Sequence, residues 1–406
     1  MKSNNTSVIS KREMRSSSLP QKIVSCYMLV LILFMGYNML QLPKAPYYAV
    51  RLIYMLVVAL FAIKVASRDF KKSSGTRLYI GYLVYLFFSF FWLFAYGLPF
   101  SLVPDALMSG LFPMLFFFVG SEEKKETLFE SPFYKYYFWG CVFLFICSIY
   151  LFVAAPSWYI QWKIEGAPEG YEENIKFLGA MSGFSISGYL VGYTALFAFC
   201  YLLFKFQSKA SKPYDIVLVF IVAFCLIFSQ ARVAILMAIL VLLWHLMKTL
   251  SLKTLILVLI VVVPIIFVII NIVSNNDMLS AMFDIFTSKV EGSSEDTRYE
   301  SGIELLSQQT NYIFGHGYGA GGHKADSLGL PAVTDFEYVK LFYETGIIGF
   351  IWFIIVVIKA IFRKPVFSFE FFIITFYLLA MLVANPLTAD ATMGPVFWYT
   401  LGRKLT

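Results

Sequence analysis

LKTLILVLIVVVPIIFVIINIV, residues 252–273, runs directly into SNNDMLSAMFDIFTSKVEGSSEDTRYESGIELLSQQTNYIFGHGYGAGGHKADSLGLPAVTDFE, residues 274–337. The first piece is long and apolar enough to cross a hydrocarbon core, which takes about 20 residues. The second leaves the membrane, carrying two of the three histidines and a glycine-dense turn. A long ordered loop in an otherwise economical chain carries function more often than mere connection.

Around this pair the chain is apolar almost throughout. It is 59% hydrophobic and 14% charged with mean hydropathy +0.74, whereas soluble domains sit near half apolar and a quarter charged. Twelve candidate spans follow: Ile23–Leu40, Tyr47–Ala66, Leu78–Gly97, Leu102–Val119, Tyr136–Ala155, Gly179–Phe204, Tyr214–Ser229, Ala231–Lys248, Leu252–Val273, Tyr338–Phe362, Phe369–Ala384 and Thr388–Leu401. The first is kept as a span and not a signal peptide, because no small-residue cleavage site follows it. The expected class is an all-α polytopic membrane protein of about 12 helices. Its parts are a basic cytoplasmic tail (1–22), nine spans within 23–273 with an external loop at 156–178, the large external loop 274–337, and three spans with a short tail in 338–406.

Charge tests this threading. Of the 32 lysines and arginines, 23 fall on the side of the N terminus and the remaining 9 on the other. The bias puts both termini in the cytoplasm and the large loop outside. The net charge of +7 therefore faces anionic lipid and does not mark a nucleic-acid surface. Cys26, Cys141, Cys147, Cys200 and Cys225 all lie in apolar runs and read as small buried hydrophobes without a disulfide framework.

Polar residues with a mechanism cluster at the external face. Arg232, in FSQARVAILMAIL, sits where two spans meet; a guanidinium there clamps a phosphate or anchors a tight turn. Arg51 has the same two readings. In SSEDTRYESGIELL, Ser293 or Ser294 caps a helix whose Tyr299, Ile303 and Leu306 form one apolar stripe. Arg298 near its start gains nothing from the helix dipole, and so pairs with a phosphate or with Glu295 or Asp296. The glycines of FGHGYGAGGHK permit positive φ and close approach to a ligand. His316 and His323 are candidate bases there, or surface histidines. Seven residues apart in a loop, they make no metal site, and no strand–helix context supports a dinucleotide fold. Thr334 and Glu337 are spaced as a capping box, and Asp335 either belongs to the first turn or orients a base.

Taken in order, SQAR, an Arg-bearing loop helix, FGHGYG and DFEYVKLFYETGIIGF at the head of the next span resemble the bacterial O-antigen polymerase and O-antigen ligase family. The likeness lies over 228–350. It implies a GT-C-like transferase moving glycan from an undecaprenyl-diphosphate-linked oligosaccharide to an acceptor at the outer face of the inner membrane. It needs no cofactor, nucleotide-sugar or obligatory metal, and its partners are that lipid-linked glycan, membrane lipid and a possible chain-length regulator. Arg232 and Arg298 would hold the diphosphate. Arg51, Lys163 in the 156–178 loop, Gly315, Gly317, Gly319 and Tyr338 would be further contacts to diphosphate or glycan. His323 would be the first candidate base, with His316 or Asp335 as substitutes. In ligases of the family the histidine stands close to the following span; here Asp335 takes that place, which favours a polymerase.

Overall fold

A computed structural model describes residues 19–39, 44–123, 127–165, 180–185, 188–249, 302–332, 336–382 and 392–406. Among these the regular structure is helical. The helices are α1 (Leu19–Met39), α2 (Lys44–Asp69), α3 (Ser74–Ala95), α4 (Leu102–Glu123), α5 (Pro132–Ala154), α6 (Ser157–Glu165), α7 (Tyr189–Gln207), α8 (Pro213–Phe228), α9 (Arg232–Thr249), α10 (Glu337–Ile361), α11 (Phe369–Ala380) and α12 (Gly394–Leu405). Seven helices are long and apolar enough to cross a membrane, so the chain is an α-helical protein of membrane type. The expected ninth span, Leu252–Val273, lies outside the described residues. So do Arg298, Asp335 and the start of the expected twelfth span.

Two helices depart from regularity where they meet the loop. In α4, Ala106–Leu111 widens into a π turn just before Pro113, whose ring removes the amide that would bond one turn back. In α10 the backbone breaks at Gly346, with φ 61° and ψ −172°. Both irregularities look onto residues 312–320, as described below.

The core is made of aromatic and branched side chains from α3, α4, α5, α7 and α12. Gly120 and Gly402 face α12 and α4 with no room for a side-chain atom between the backbones, the small-residue contact that lets membrane helices approach closely. Two expectations change here. The basic excess on the cytoplasmic side, read as facing anionic lipid, includes Arg403 and Lys404. Arg403 instead reaches Glu370 at 3.4 Å and the Glu123 carbonyl at 2.6 Å, while Lys404 donates to Ser368 Oγ at 2.9 Å and to the Pro365 carbonyl. The loop helix at 302–307 turns Leu305 inward (1% exposed) and leaves Ile303 51% exposed, so the buried stripe runs through Gly302, Leu305 and Gln309 and not through Ile303. This helix packs on the loop that follows it, which selects a different face.

Candidate functional site

The glycine-rich loop is fastened into the break of α10 by a reciprocal backbone exchange. His316 and Gly317 donate their N–H groups to the carbonyls of Tyr343 (3.0 Å) and Glu344 (2.9 Å). In return Ile347 and Ile348 donate to Tyr312 (2.8 Å) and Ile313 (3.4 Å). Tyr85 completes the set, its hydroxyl donating to the Thr345 carbonyl at 2.6 Å. Irregular backbone at the head of a span persists only where protein satisfies its polar groups, and here the loop does so. A Cβ on Gly315 would stand 2.6 Å from Gly346 N, and one on Gly346 would stand 2.6 Å from Gly315 N. The close approach expected of these glycines is thus to the chain's own backbone. Gly317 abuts Leu93 of α3 and Gly319 abuts Ala106 of the π turn, so the loop wedges between α3, α4 and α10.

Beneath the wedge lies a narrow cleft of about 20 Å³, room for little more than one water, lined by Tyr82, Met114, Tyr318, Glu337, Lys340, Glu344 and Trp398, among others. Three ionisable groups at positions i, i+3 and i+7 share one helix face here. Glu344 is 2% exposed; its Oε1 accepts the Gly321 N–H at 3.1 Å and lies 3.9 Å from Lys340 Nζ. Glu337 is 6% exposed. The Tyr82 hydroxyl is fully buried within electrostatic reach of both carboxylates, with no hydrogen-bond partner among the described residues. Burial, and then the charge of Glu344, push the Tyr318 phenol well above its usual range.

The capping-box reading of Glu337 turns on Thr334, which lies outside the described residues. Helix α10 begins at Glu337 itself, after Phe336, with no side-chain cap bond. Glu337 is thus the first helical residue and lines the cleft. Sequence reasoning missed Lys340, Glu344 and Tyr82 as well. The available signal was the spacing of Glu337, Lys340 and Glu344 in an otherwise apolar head.

The remaining candidates divide. His316 is buried between Tyr343 (ring centroids 4.4 Å apart, stacked) and Tyr96 (4.6 Å), its Nε2 bonded to Thr310 Oγ1 at 2.9 Å. Burial lowers its pKa, which keeps the imidazole neutral. His323 opens a one-turn helix, His323–Asp326; its side chain lies outside those described. Tyr338 donates to the Leu378 carbonyl at 3.0 Å, tying α10 to α11. Arg51 reaches the Met108 carbonyl of the π turn at 3.4 Å.

Arg232 and Lys163 belong to a second cluster. Ser229, Gln230 (φ 59°) and Ala231 form the tight turn between α8 and α9. Met181 grips it by donating to the Phe228 carbonyl at 2.9 Å. Arg232 emerges from this turn exposed. Lys163 is buried under α6 and donates to the Ala180 carbonyl at 3.1 Å; desolvation lowers its pKa to about 8. Its ammonium thus fastens α6 to the segment that grips the turn. Among the described residues no cluster of three or more His, Cys, Asp or Glu is arranged to hold a metal ion. No protein-family model, curated protein or solved structure matches the chain.

Proposed function

We propose that the chain is a polysaccharide polymerase. It would join lipid-linked repeat units of O antigen or capsule, drawing glycan from an undecaprenyl-diphosphate donor at the outer face of the inner membrane. One observation carries the reading: the glycine loop is locked into the broken head of α10 and closes a cleft of two carboxylates, a lysine and two tyrosines. Ionisable groups buried at the head of an apolar helix are expensive, and function is the usual reason for keeping them. A lipid-linked sugar places its chain in the bilayer and its reacting end at that level. Exposed Arg232 supplies a planar cation for the diphosphate leaving group. The resemblance over 228–350 points the same way, with a ligase as the alternative within the class.

A second reading has its own support. A helix interrupted at Gly346 beside ionisable groups is also how secondary transporters build sites, so a lipid-linked oligosaccharide flippase is the competitor from another class. Deletion and complementation with Arg232→Ala and Arg298→Ala separates the three. A polymerase predicts loss of the polysaccharide ladder while a single capped repeat unit remains. Loss of all surface glycan indicates a ligase, and lipid-linked units stranded on the cytoplasmic face indicate a flippase. Unchanged ladders would sink the assignment of both arginines.

A further inference from the structure

We infer that the cleft under the glycine loop is a binding site for one ordered water molecule. The water accepts from the Tyr82 hydroxyl and from the Lys340 ammonium, and donates to the Glu344 carboxylate. The inference goes beyond the transferase reading and does not depend on which reaction the chain performs.

Size sets the first limit. The cleft measures about 20 Å³, and a cavity needs roughly 10–15 Å³ to hold a water. A sugar ring or a phosphate does not enter. The second observation is Tyr82, whose hydroxyl is completely buried, lines the cleft and has no partner among the described residues. A buried hydroxyl left unbonded is costly, and ordered water is the usual partner where protein supplies none. The third observation is a gap. Lys340 Nζ and Glu344 Oε1 stand 3.9 Å apart, beyond the range of a direct hydrogen bond. Two polar groups at that separation, with space beside them, suit a water-mediated bond.

The chemistry of the lining selects water over an ion. Lys340 offers only donors, so the bound group must accept, and a sodium ion cannot. The ammonium would also repel it. The Glu344 carboxylate is an acceptor, already taking the Gly321 N–H at 3.1 Å and bonded by the backbone of Gly319. The bound group must therefore donate as well, which a chloride ion cannot. Water alone at this size does both, and three bonds is the usual number for a buried water.

The position gives the water a task. Tyr82 belongs to α3, Lys340 and Glu344 to α10, and Glu344 holds the loop through Gly321. The water joins the two helices beneath the loop, beside the direct bond from Tyr85 to the Thr345 carbonyl. It thereby steadies the carboxylate that fastens the loop.

The test uses full-length protein in lipid nanodiscs and turns on the sign of one effect. Tyr82→Phe removes a single oxygen and keeps the ring. With water bound, the variant loses a hydrogen bond, and hydrogen exchange at the amides of Gly317 and Gly321 should speed up roughly 2- to 10-fold. Were the hydroxyl truly unbonded, the variant would shed an uncompensated polar group, and exchange would stay the same or slow down. Either of those results overturns the proposal. Replacing sodium by choline at constant ionic strength should leave the parent unchanged; protection that requires sodium would assign the site to that ion instead. An experimental map of the parent that resolves ordered solvent should show one peak within hydrogen-bond distance of Tyr82 Oη, Lys340 Nζ and a Glu344 oxygen. A cleft without that peak sinks the proposal, even should the variant fail to reach the membrane.

Discussion

His316 illustrates how neighbours set the chemistry of one side chain. Stacked on Tyr343 and covered by Tyr96, it is desolvated, and burial lowers its pKa from 6.5. Between that depressed value and 6.5 the unfolded chain binds the proton more readily than the folded loop does. The loop is therefore fully stable above pH 6.5 and loosens as pH falls below it. Hydrogen exchange of the amides of 312–317, compared above and below pH 6.5, should show faster opening on the acid side. His316→Phe should abolish most of that difference, and an equal response in the variant would show that other groups carry it. The sequence marked His316 as polar in a glycine loop, but the two rings that bury it come from residues far away in the chain.

At the scale of the element, α10 depends on its break. The segment ETGIIGF reads as continuous span because its hydropathy is unbroken, and the sequence carries no local sign that Gly346 leaves the helix. The reason is that its partners, Tyr312 to Gly317, lie some thirty residues earlier and supply the missing hydrogen bonds. Gly346→Ala places a Cβ against Gly315 N at 2.6 Å in a left-handed conformation, φ 61°. The strain of that conformation alone is about 1–3 kcal/mol. The expected outcome is release of the 302–332 loop, read as a new protease-sensitive site, with the remaining helices still protected. A loop as resistant as in the parent would show that the interlock does not hold it.

At the scale of the molecule, the bundle is tied at the end away from the cleft. Glu123, fully buried, accepts from Ser25 (2.9 Å) of α1, from Ser131 (2.8 Å) at the start of α5, and from Tyr399 of α12. Arg403 extends the network to Glu370 of α11. Three helices, α1, α4 and α12, and the cap of α5 thus meet at one carboxylate. Glu123→Leu leaves the Ser25 hydroxyl, and one hydroxyl of the Ser131–Tyr399 pair that otherwise bond each other at 2.6 Å, without an acceptor, each worth about 1–3 kcal/mol when buried and unsatisfied. The thermal midpoint in detergent should fall clearly, while a Glu123→Gln variant, which still accepts, should fall less. Equal midpoints for the two would refute the hydrogen-bond account.

What the sequence by itself determined is the solvent of each segment. Hydropathy and length mark where helices cross, because transfer of some twenty apolar residues outweighs local detail. The seven long helices and three of the shorter ones overlap those runs, although the span expected from Gly179 begins only at Tyr189. Glycines, histidines and arginines of one loop and one turn were also visible as a polar exception. Only the tertiary structure decided which of them meet. It took Lys163 and Arg403 out of contact with water or headgroups, spent the glycines on close contact within the chain, and brought Glu337 and Tyr82 to one cleft. The physical reason is that hydropathy sums over neighbours along the chain, whereas hydrogen-bond satisfaction in a buried cleft is settled between residues hundreds of positions apart.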